Sequence, residues 1–180
     1  MEIVAGLARG LKLLAPPGSD VRPTAVRARK ALFDSLGSLS GLSVSDLFAG
    51  SGALGLEAAS RGAAKVAFVE SSKRSCDAIR ENCKRLEKAG ASCEFRLILS
   101  QLPGCATRML SLPVPNLVFA DPPYDESGRL LLAVLENPDF ARYAEGATLI
   151  WEMPDTGLRI DSLPAGWKLQ SVRQFGPARF

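Results

Sequence analysis

From Val44 to Glu152 the chain alternates short runs of aliphatic and aromatic residues with longer segments whose apolar positions recur every three to four residues. The short runs predict strands at Val44–Phe48, Val66–Glu70, Cys93–Leu97, Asn116–Asp121 and Thr148–Glu152. The longer segments predict helices at Ala53–Arg61, Ser72–Lys88, near Leu102–Leu112, and at Gly128–Tyr143. A last pair of strands is expected near Trp167–Phe175 and Ala178–Phe180. Strands separated by helices need right-handed crossovers, so the pattern predicts an α/β fold with a mostly parallel, doubly wound sheet. In such a sheet the ligand lies beyond the carboxyl ends of the strands, at the point where strand order reverses. The residues just after each strand are therefore the ones to inspect.

Upstream, the pattern differs. The stretch from Glu2 to Pro16 reads as two short strands around a glycine-containing turn, and Pro16, Pro17, Gly18 and Pro23 make the next stretch a loop. A helix is expected from Thr24, capped by that residue and buried through Val26, Ala28, Ala31, Leu32, Ser35 and Leu36, until Gly37 and Gly41 end it. The expected organisation is an N-terminal extension, residues 1–41, packed on a single domain, residues 42–180.

Composition narrows the class. The chain has 180 residues, of which 47% are hydrophobic and 23% charged, the values of one ordinary globular domain. No apolar run approaches the roughly 20 residues that span a bilayer, and the N-terminus lacks the pattern of a secretory signal, so a soluble cytoplasmic protein is expected, as a monomer and away from membranes. Cys76, Cys83, Cys93 and Cys105 are spaced by 7, 10 and 12 positions and form no Cys-x-x-Cys pair, which fits reduced thiols packed as small core residues. Histidine is absent, which removes the serine-triad relay and the imidazole metal ligands. No metal is expected. Residues 1–45 carry six basic and three acidic side chains, whereas the remainder carries 16 of each, so the whole excess of +3 lies in the first quarter. Arg9, Lys12, Arg22, Arg27 and Arg29, with Thr24 among them, are candidate contacts for a polyanion; a solvated helix face is the alternative. The charges from Lys73 to Lys88 alternate in sign and read as a solvated helix.

The first strand runs into Gly50-x-Gly52-x-x-Gly55, followed by a helix, which is the context that makes a glycine pattern informative. Gly50 and Gly52 permit a tight turn and close backbone approach to a ligand, and Gly55 permits close packing of helix on strand. Glu70, 20 residues after Gly50 at the end of the second strand, is placed to accept the hydroxyl protons of a ribose. A turn shaped by glycines and nothing more is the alternative. The cofactor follows from charge: Asp46 sits at the end of the first strand, where it would repel a pyrophosphate, and Asp46, Glu70 and Asp121 together favour a cationic ligand. S-adenosylmethionine, with its ammonium and sulfonium, fits better than a nicotinamide cofactor. Its expected contacts are Asp46, Phe48, Ala49, Gly50, Ser51, Gly52, Gly55, Glu70, Ser71, Ser100 and Asp121.

The fourth strand ends in Asp121-Pro122-Pro123-Tyr124. Two successive prolines remove two amide donors and fix two φ angles, leaving the carbonyls of Asp121 and Pro122 rigid and free to accept hydrogen bonds. A nucleobase amine offers the matching donors: Asp121 and a neighbouring carbonyl grip its hydrogens and aim its lone pair, while Tyr124 stacks on the base. Asp121, Pro122, Pro123 and Tyr124 are the candidate catalytic residues. A rigid turn, or a hard metal site with Asp125 and Glu126, is the other reading of the same run.

At this point Arg9-Gly10, Arg22-Pro23-Thr24, the run Asp46-Leu47-Phe48-Ala49-Gly50-Ser51-Gly52-Ala53-Leu54-Gly55-Leu56-Glu57-Ala58 and Asp121-Pro122-Pro123-Tyr124 are similar to the RsmD-type bacterial 16S ribosomal RNA (guanine-N2)-methyltransferases, over nearly the whole chain. The resemblance implies a class I, Rossmann-like methyltransferase fold, S-adenosylmethionine as donor, and the exocyclic N2 of a guanine in 16S ribosomal RNA as acceptor, in free RNA or a partly assembled small ribosomal subunit. The chain departs from the family at Lys30, where Glu is usual, at Leu99-Ser100, where an Asp commonly meets the adenine and Ser100 or Gln101 is left to do so, and in its short tail after Gly176. Other readings are an adenine-N6 methyltransferase on DNA or RNA, a nicotinamide-dependent dehydrogenase, and a catalytically silent RNA-binding module.

Overall fold

In a computed structural model of the chain, residues 1–16, 23–153, 162–176 and 178–180 are described. The central sheet contains β1 (Ser43–Leu47), β2 (Lys65–Glu70), β3 (Glu94–Leu99), β4 (Leu117–Ala120) and β5 (Thr148–Trp151) in the order β3-β2-β1-β4-β5, every pairing parallel. Strand order reverses between β1 and β4, which places the switch point at the ends of those two strands.

Both faces of the sheet are covered, and alternation along each strand decides which residue goes where. Val44, Val66, Phe68, Leu117 and Phe119 enter one core layer, beneath α1 (Pro23–Leu36), α2 (Ala53–Ser60) and α3 (Lys73–Lys88). Leu47, Val69, Val118 and Ala120 enter the other, beneath α4 (Ala106–Met109), α5 (Ser127–Leu135) and α6 (Pro138–Tyr143). Helix α1 is anchored by Phe33, fully buried and 5.1 Å from Phe119 between ring centroids. Asn137 caps α6 by accepting from the amides of Asp139 and Phe140, and Pro138 starts it. The single helix expected over Gly128–Tyr143 is therefore two, because Pro138 has no amide to continue the α5 ladder.

Two further expectations are corrected. The N-terminal pair of strands is reduced to one antiparallel bridge, Glu2 to Lys12. Its amides turn instead to α2: those of Val4 and Ala5 donate to the Glu57 carboxylate at 2.8 and 3.1 Å, and that of Ala8 donates to the Ser60 hydroxyl at 3.0 Å. The last strands are only β6 (Gln174–Phe175) and β7 (Ala178–Arg179), an antiparallel hairpin outside the main sheet, joined to the end of β5 by the Met153–Arg179 bridge. No helix among the described residues is long and apolar enough to cross a membrane.

Candidate active site at the carboxyl ends of the central strands

The loop after β1 is built by left-handed backbone. Phe48, Gly50 and Gly52 have φ of 56°, 55° and 78°, a region open to glycine but strained for Phe48. The Phe48 ring is held edge-on by Trp151, 5.8 Å away. A Cβ on Gly50 would meet nothing within 4 Å, so this backbone faces open space. Gly55 is different: a Cβ there would lie 2.5 Å from Phe68 and 2.8 Å from Val66, so its bareness serves the packing of α2 on β2.

Three carboxylates converge on this loop. Asp46 is buried in β1 and accepts from the Gly55 amide at 2.8 Å, fastening the loop to the start of α2. Burial raises its proton affinity well above that of an ordinary carboxyl group; the Gly55 amide opposes this, and the negative charges of Asp121 and Glu70 reinforce it. Glu70, at the end of β2, accepts from the Gly50 amide with Oε2 and from the Ser72 amide with Oε1, both at 2.7 Å, and Ser71 Oγ lies 3.4 Å from Oε1. The carboxylate is thereby locked beside the glycine loop, with Oε1 accepting from two groups and a further lone pair left on Oε2. Ser100 donates its amide to the Glu70 carbonyl at 2.9 Å, and its hydroxyl hydrogen-bonds Cys105. Leu99, beside it, presents an exposed apolar side chain at the end of β3.

Asp121 leaves the end of β4 next to Glu152, which leaves the end of β5. Each carboxyl group shifts the proton affinity of the other. Crowding by the surrounding protein and the neighbouring charge of Glu152 push the Asp121 carboxyl up to about 7, while burial also raises Glu152. Tyr124 opens a single 3-10 turn, stands half exposed, and donates its hydroxyl to Glu152 Oε1 at 2.8 Å. Among the described residues the carbonyls of Asp121 and Pro122 accept no hydrogen bond, whereas that of Pro123 takes the Glu126 amide at 3.0 Å. A group of three or more potential metal ligands is absent among the described residues.

The structure thus gathers Asp46, Phe48, Ala49, Gly50, Ser51, Gly52, Gly55, Glu70, Ser71, Ser100, Asp121, Pro122, Pro123 and Tyr124 along one edge of the sheet. The basic candidates divide. Arg9, Lys12 and Arg27 are exposed, and none of the described ion pairs includes them. Arg29 is a correction: it is 7% exposed, with its guanidinium turned inward onto the Glu2 carbonyl at 2.6 Å, and a phosphate in solution has no access to it. Arg22 lies outside the described residues, as does the side chain of Thr24.

Three residues escaped the sequence reading. Glu152 had a signal, since it ends a predicted strand like Glu70 and Asp121. Glu57 had none beyond its place in the glycine run, and its fully buried carboxylate clamps the N-terminal segment and pairs with Arg61 at 2.8 Å. Asn82, fully buried in α3, donates to the carbonyls of Leu14 and Ser51 and accepts from the Leu14 amide, tying the N-terminal segment to the glycine loop. A polar residue inside an amphipathic helix carries no visible mark of such partners.

Solved structures share this architecture. A hypothetical protein of Thermus thermophilus superimposes with a TM-score of 0.73 at 27% identity, over 99% of this chain and 96% of that one. A precorrin-6Y C5,15-methyltransferase of Geobacter metallireducens, at 18% identity and a TM-score of 0.57 over 82% of this chain and 70% of its own, shares the fold alone. The architecture is that of the class I, Rossmann-like methyltransferases. In sequence, the chain is 29% identical over its full length to the ribosomal RNA small subunit methyltransferase D of Escherichia coli, covering 87% of it. It is 35% identical over 125 residues, 69% of this chain and 64% of the relative, to the protein of the same name from Haemophilus influenzae. The model of the family described as Conserved hypothetical protein 95 matches residues 1–180 throughout, and with the glycine loop, the acidic edge and Asp-Pro-Pro-Tyr in the places that motif and fold require, this chain belongs to that family, the RsmD family.

Proposed function

We propose that the protein methylates the exocyclic N2 amine of a guanine in 16S ribosomal RNA, with S-adenosylmethionine as donor. The observation that carries the reading is the placement of Asp121-Pro122-Pro123-Tyr124 directly across the strand-order switch from the Gly50–Gly55 loop, so that an amine-gripping element faces a cofactor loop. The donor set fits a cation: Asp46, Glu70 and Asp121 lie at one edge, and beyond the larger effect of burial the charges of Asp121 and Glu70 add to the raised proton affinity of Asp46. A pyrophosphate would add to that repulsion, which disfavours the dehydrogenase. Bound there, S-adenosylmethionine supplies an electrophilic methyl group. The chain's own part is to hold the ribose hydroxyls on Glu70, stack Tyr124 on a guanine drawn out of its neighbours, and orient the amine with Asp121 and the Pro122 carbonyl. The names of the relatives support ribosomal RNA as the acceptor, and four free cysteines suit a reducing cytoplasm.

Nucleoside mass spectrometry of small-subunit ribosomal RNA, treated with the purified protein and S-adenosylmethionine, is expected to show new N2-methylguanosine. N6-methyladenosine in its place would move the assignment to the adenine amine, and binding of RNA without any methylation would leave an RNA-binding module.

Arg9, Lys12 and Arg27 form the proposed RNA-facing arm. Reversing the charges of Arg9 and Arg27 should weaken RNA binding and flatten its logarithmic dependence on salt by about 0.7 to 0.9 for each phosphate no longer neutralised, with cofactor affinity unchanged in calorimetry. An unaltered salt slope would return these side chains to the category of solvated surface.

A further inference from the structure

Glu152 lies outside the Asp-Pro-Pro-Tyr element, yet it touches both of that element's working side chains. Parallel pairing of β4 with β5 sets Ala120 opposite Trp151, so the next residue of each strand, Asp121 and Glu152, emerges at the same level of the sheet edge. Each carboxyl group shifts the proton affinity of the other, and Glu152 Oε1 receives the Tyr124 hydroxyl at 2.8 Å. The backbone of Glu152 is pinned on both sides. Its amide donates to the Ala120 carbonyl at 2.8 Å, and its carbonyl accepts from Ser127 Oγ at 3.0 Å. Ser127 is fully buried and its hydroxyl accepts in turn from Trp151 Nε1 at 2.9 Å. A half-buried carboxyl group so firmly held is a fixed post to which the two more exposed side chains are tied.

We propose that Glu152 is a positioning residue for the methyl transfer, holding the Tyr124 ring at the base-stacking position and fixing the Asp121 carboxyl group toward the amine. The inference rests on the assignment of Asp121 and Tyr124 to the acceptor base made above. Its chemical consequence is a carboxyl pair that shares one proton, which orients Asp121 without a cation at its side. Facing Asp121 are Glu152 from β5 and, more distantly, Asp46 from β1, both acidic; crowding by the surrounding protein, and then Glu152, raise its proton affinity. Tyr124 donates its hydroxyl to the Glu152 side of the pair.

Three substitutions of Glu152 test the two tethers. In Glu152→Gln the side-chain oxygen still accepts from Tyr124 while the amide donates to Asp121, so the charged form of Asp121 is favoured. Carboxyl-carbon NMR of the protein alone should show the last proton of the wild-type pair leaving near pH 7, and in Glu152→Gln that step should fall toward the ordinary aspartate value near 4. In Glu152→Ala both tethers are lost, and the apparent RNA constant should rise about tenfold while the dissociation constant for S-adenosylmethionine stays within about twofold. Glu152→Asp, which keeps a carboxyl group one methylene shorter, should recover part of that loss. Circular dichroism confirms that each variant is folded, and Glu152→Gln, of equal size, keeps the test available if Glu152→Ala is not. An unshifted Asp121 titration in Glu152→Gln overturns the proposal whatever the enzyme assays show. So does a normal RNA constant in Glu152→Ala when Asp121→Ala is inactive. If Asp121→Ala itself methylates guanine at the wild-type rate, the acceptor-site assignment fails first and takes this inference with it, a result recognisable because the titration shift persists.

Discussion

Asp121→Ala is expected to lower kcat for guanine methylation by about 10²- to 10⁴-fold while leaving the dissociation constant for the methyl donor nearly unchanged. The range is that of a positioned acid–base group. Such a loss follows from the proposed site, in which the side chain aims the amine lone pair and is the candidate acceptor of its proton. Asp121→Asn divides these roles: an amide oxygen still accepts from the amine but takes up no proton, so retained turnover assigns Asp121 to orientation and a collapse assigns it to proton acceptance. The pH profile gives the sign independently. Because the Asp121 carboxyl is pushed up to about 7 by the surrounding protein and by Glu152, the acceptor form is scarce below that pH and abundant above it. The wild-type kcat/KM should therefore climb as pH rises through this region, at a pH lowered by a bound sulfonium, and the limb should disappear in Asp121→Asn. Wild-type turnover in Asp121→Ala would discard the site.

The second large effect is expected at Glu70. Its Oε2 and Oε1 hold the amides of Gly50 and Ser72, each at 2.7 Å, and the remaining lone pair of Oε2 is the ribose acceptor proposed above. Glu70→Ala removes both the ribose contact and the brace of the glycine loop. Cofactor affinity should fall by about 1.5 to 3 kcal/mol, the range for hydrogen bonds to a charged group, or roughly ten- to 150-fold in the dissociation constant by calorimetry. Glu70→Gln, which keeps one acceptor for a backbone amide, should lose less. An unchanged constant in Glu70→Ala would remove this carboxylate from the cofactor site.

The doubly wound parallel sheet and its switch point were legible in the sequence because alternation and helical periodicity report burial directly, and burial is local in the pattern even when the contacts are not. The same holds for Gly50, Gly52, Glu70 and Asp121, each next to the end of a strand whose direction the crossovers dictate. Pro138 was equally visible as a break, but the apolar periodicity on either side of it hid the division of one predicted helix into α5 and α6.

Partner choice was not legible. Arg29 and Arg27 are two residues apart with the same charge, and only the packing of α1 against Glu2 and the Glu57–Arg61 pair turns one inward and leaves the other in solvent. Asn82 and Glu57 read as ordinary helix residues until backbone groups from the N-terminal segment arrive more than 50 positions away in the sequence. Glu152 is the sharpest instance: the pattern placed it at a strand end, but its acidity beside Asp121 and its hold on Tyr124 depend on the register of β4 with β5. By itself, then, the sequence determined the sheet, the edge on which the chemistry sits and the residue types there. Only the tertiary structure decided which charges are buried, which carboxyl groups shift one another's proton affinity and which residue braces another, because those properties arise from distances between segments that no local periodicity encodes.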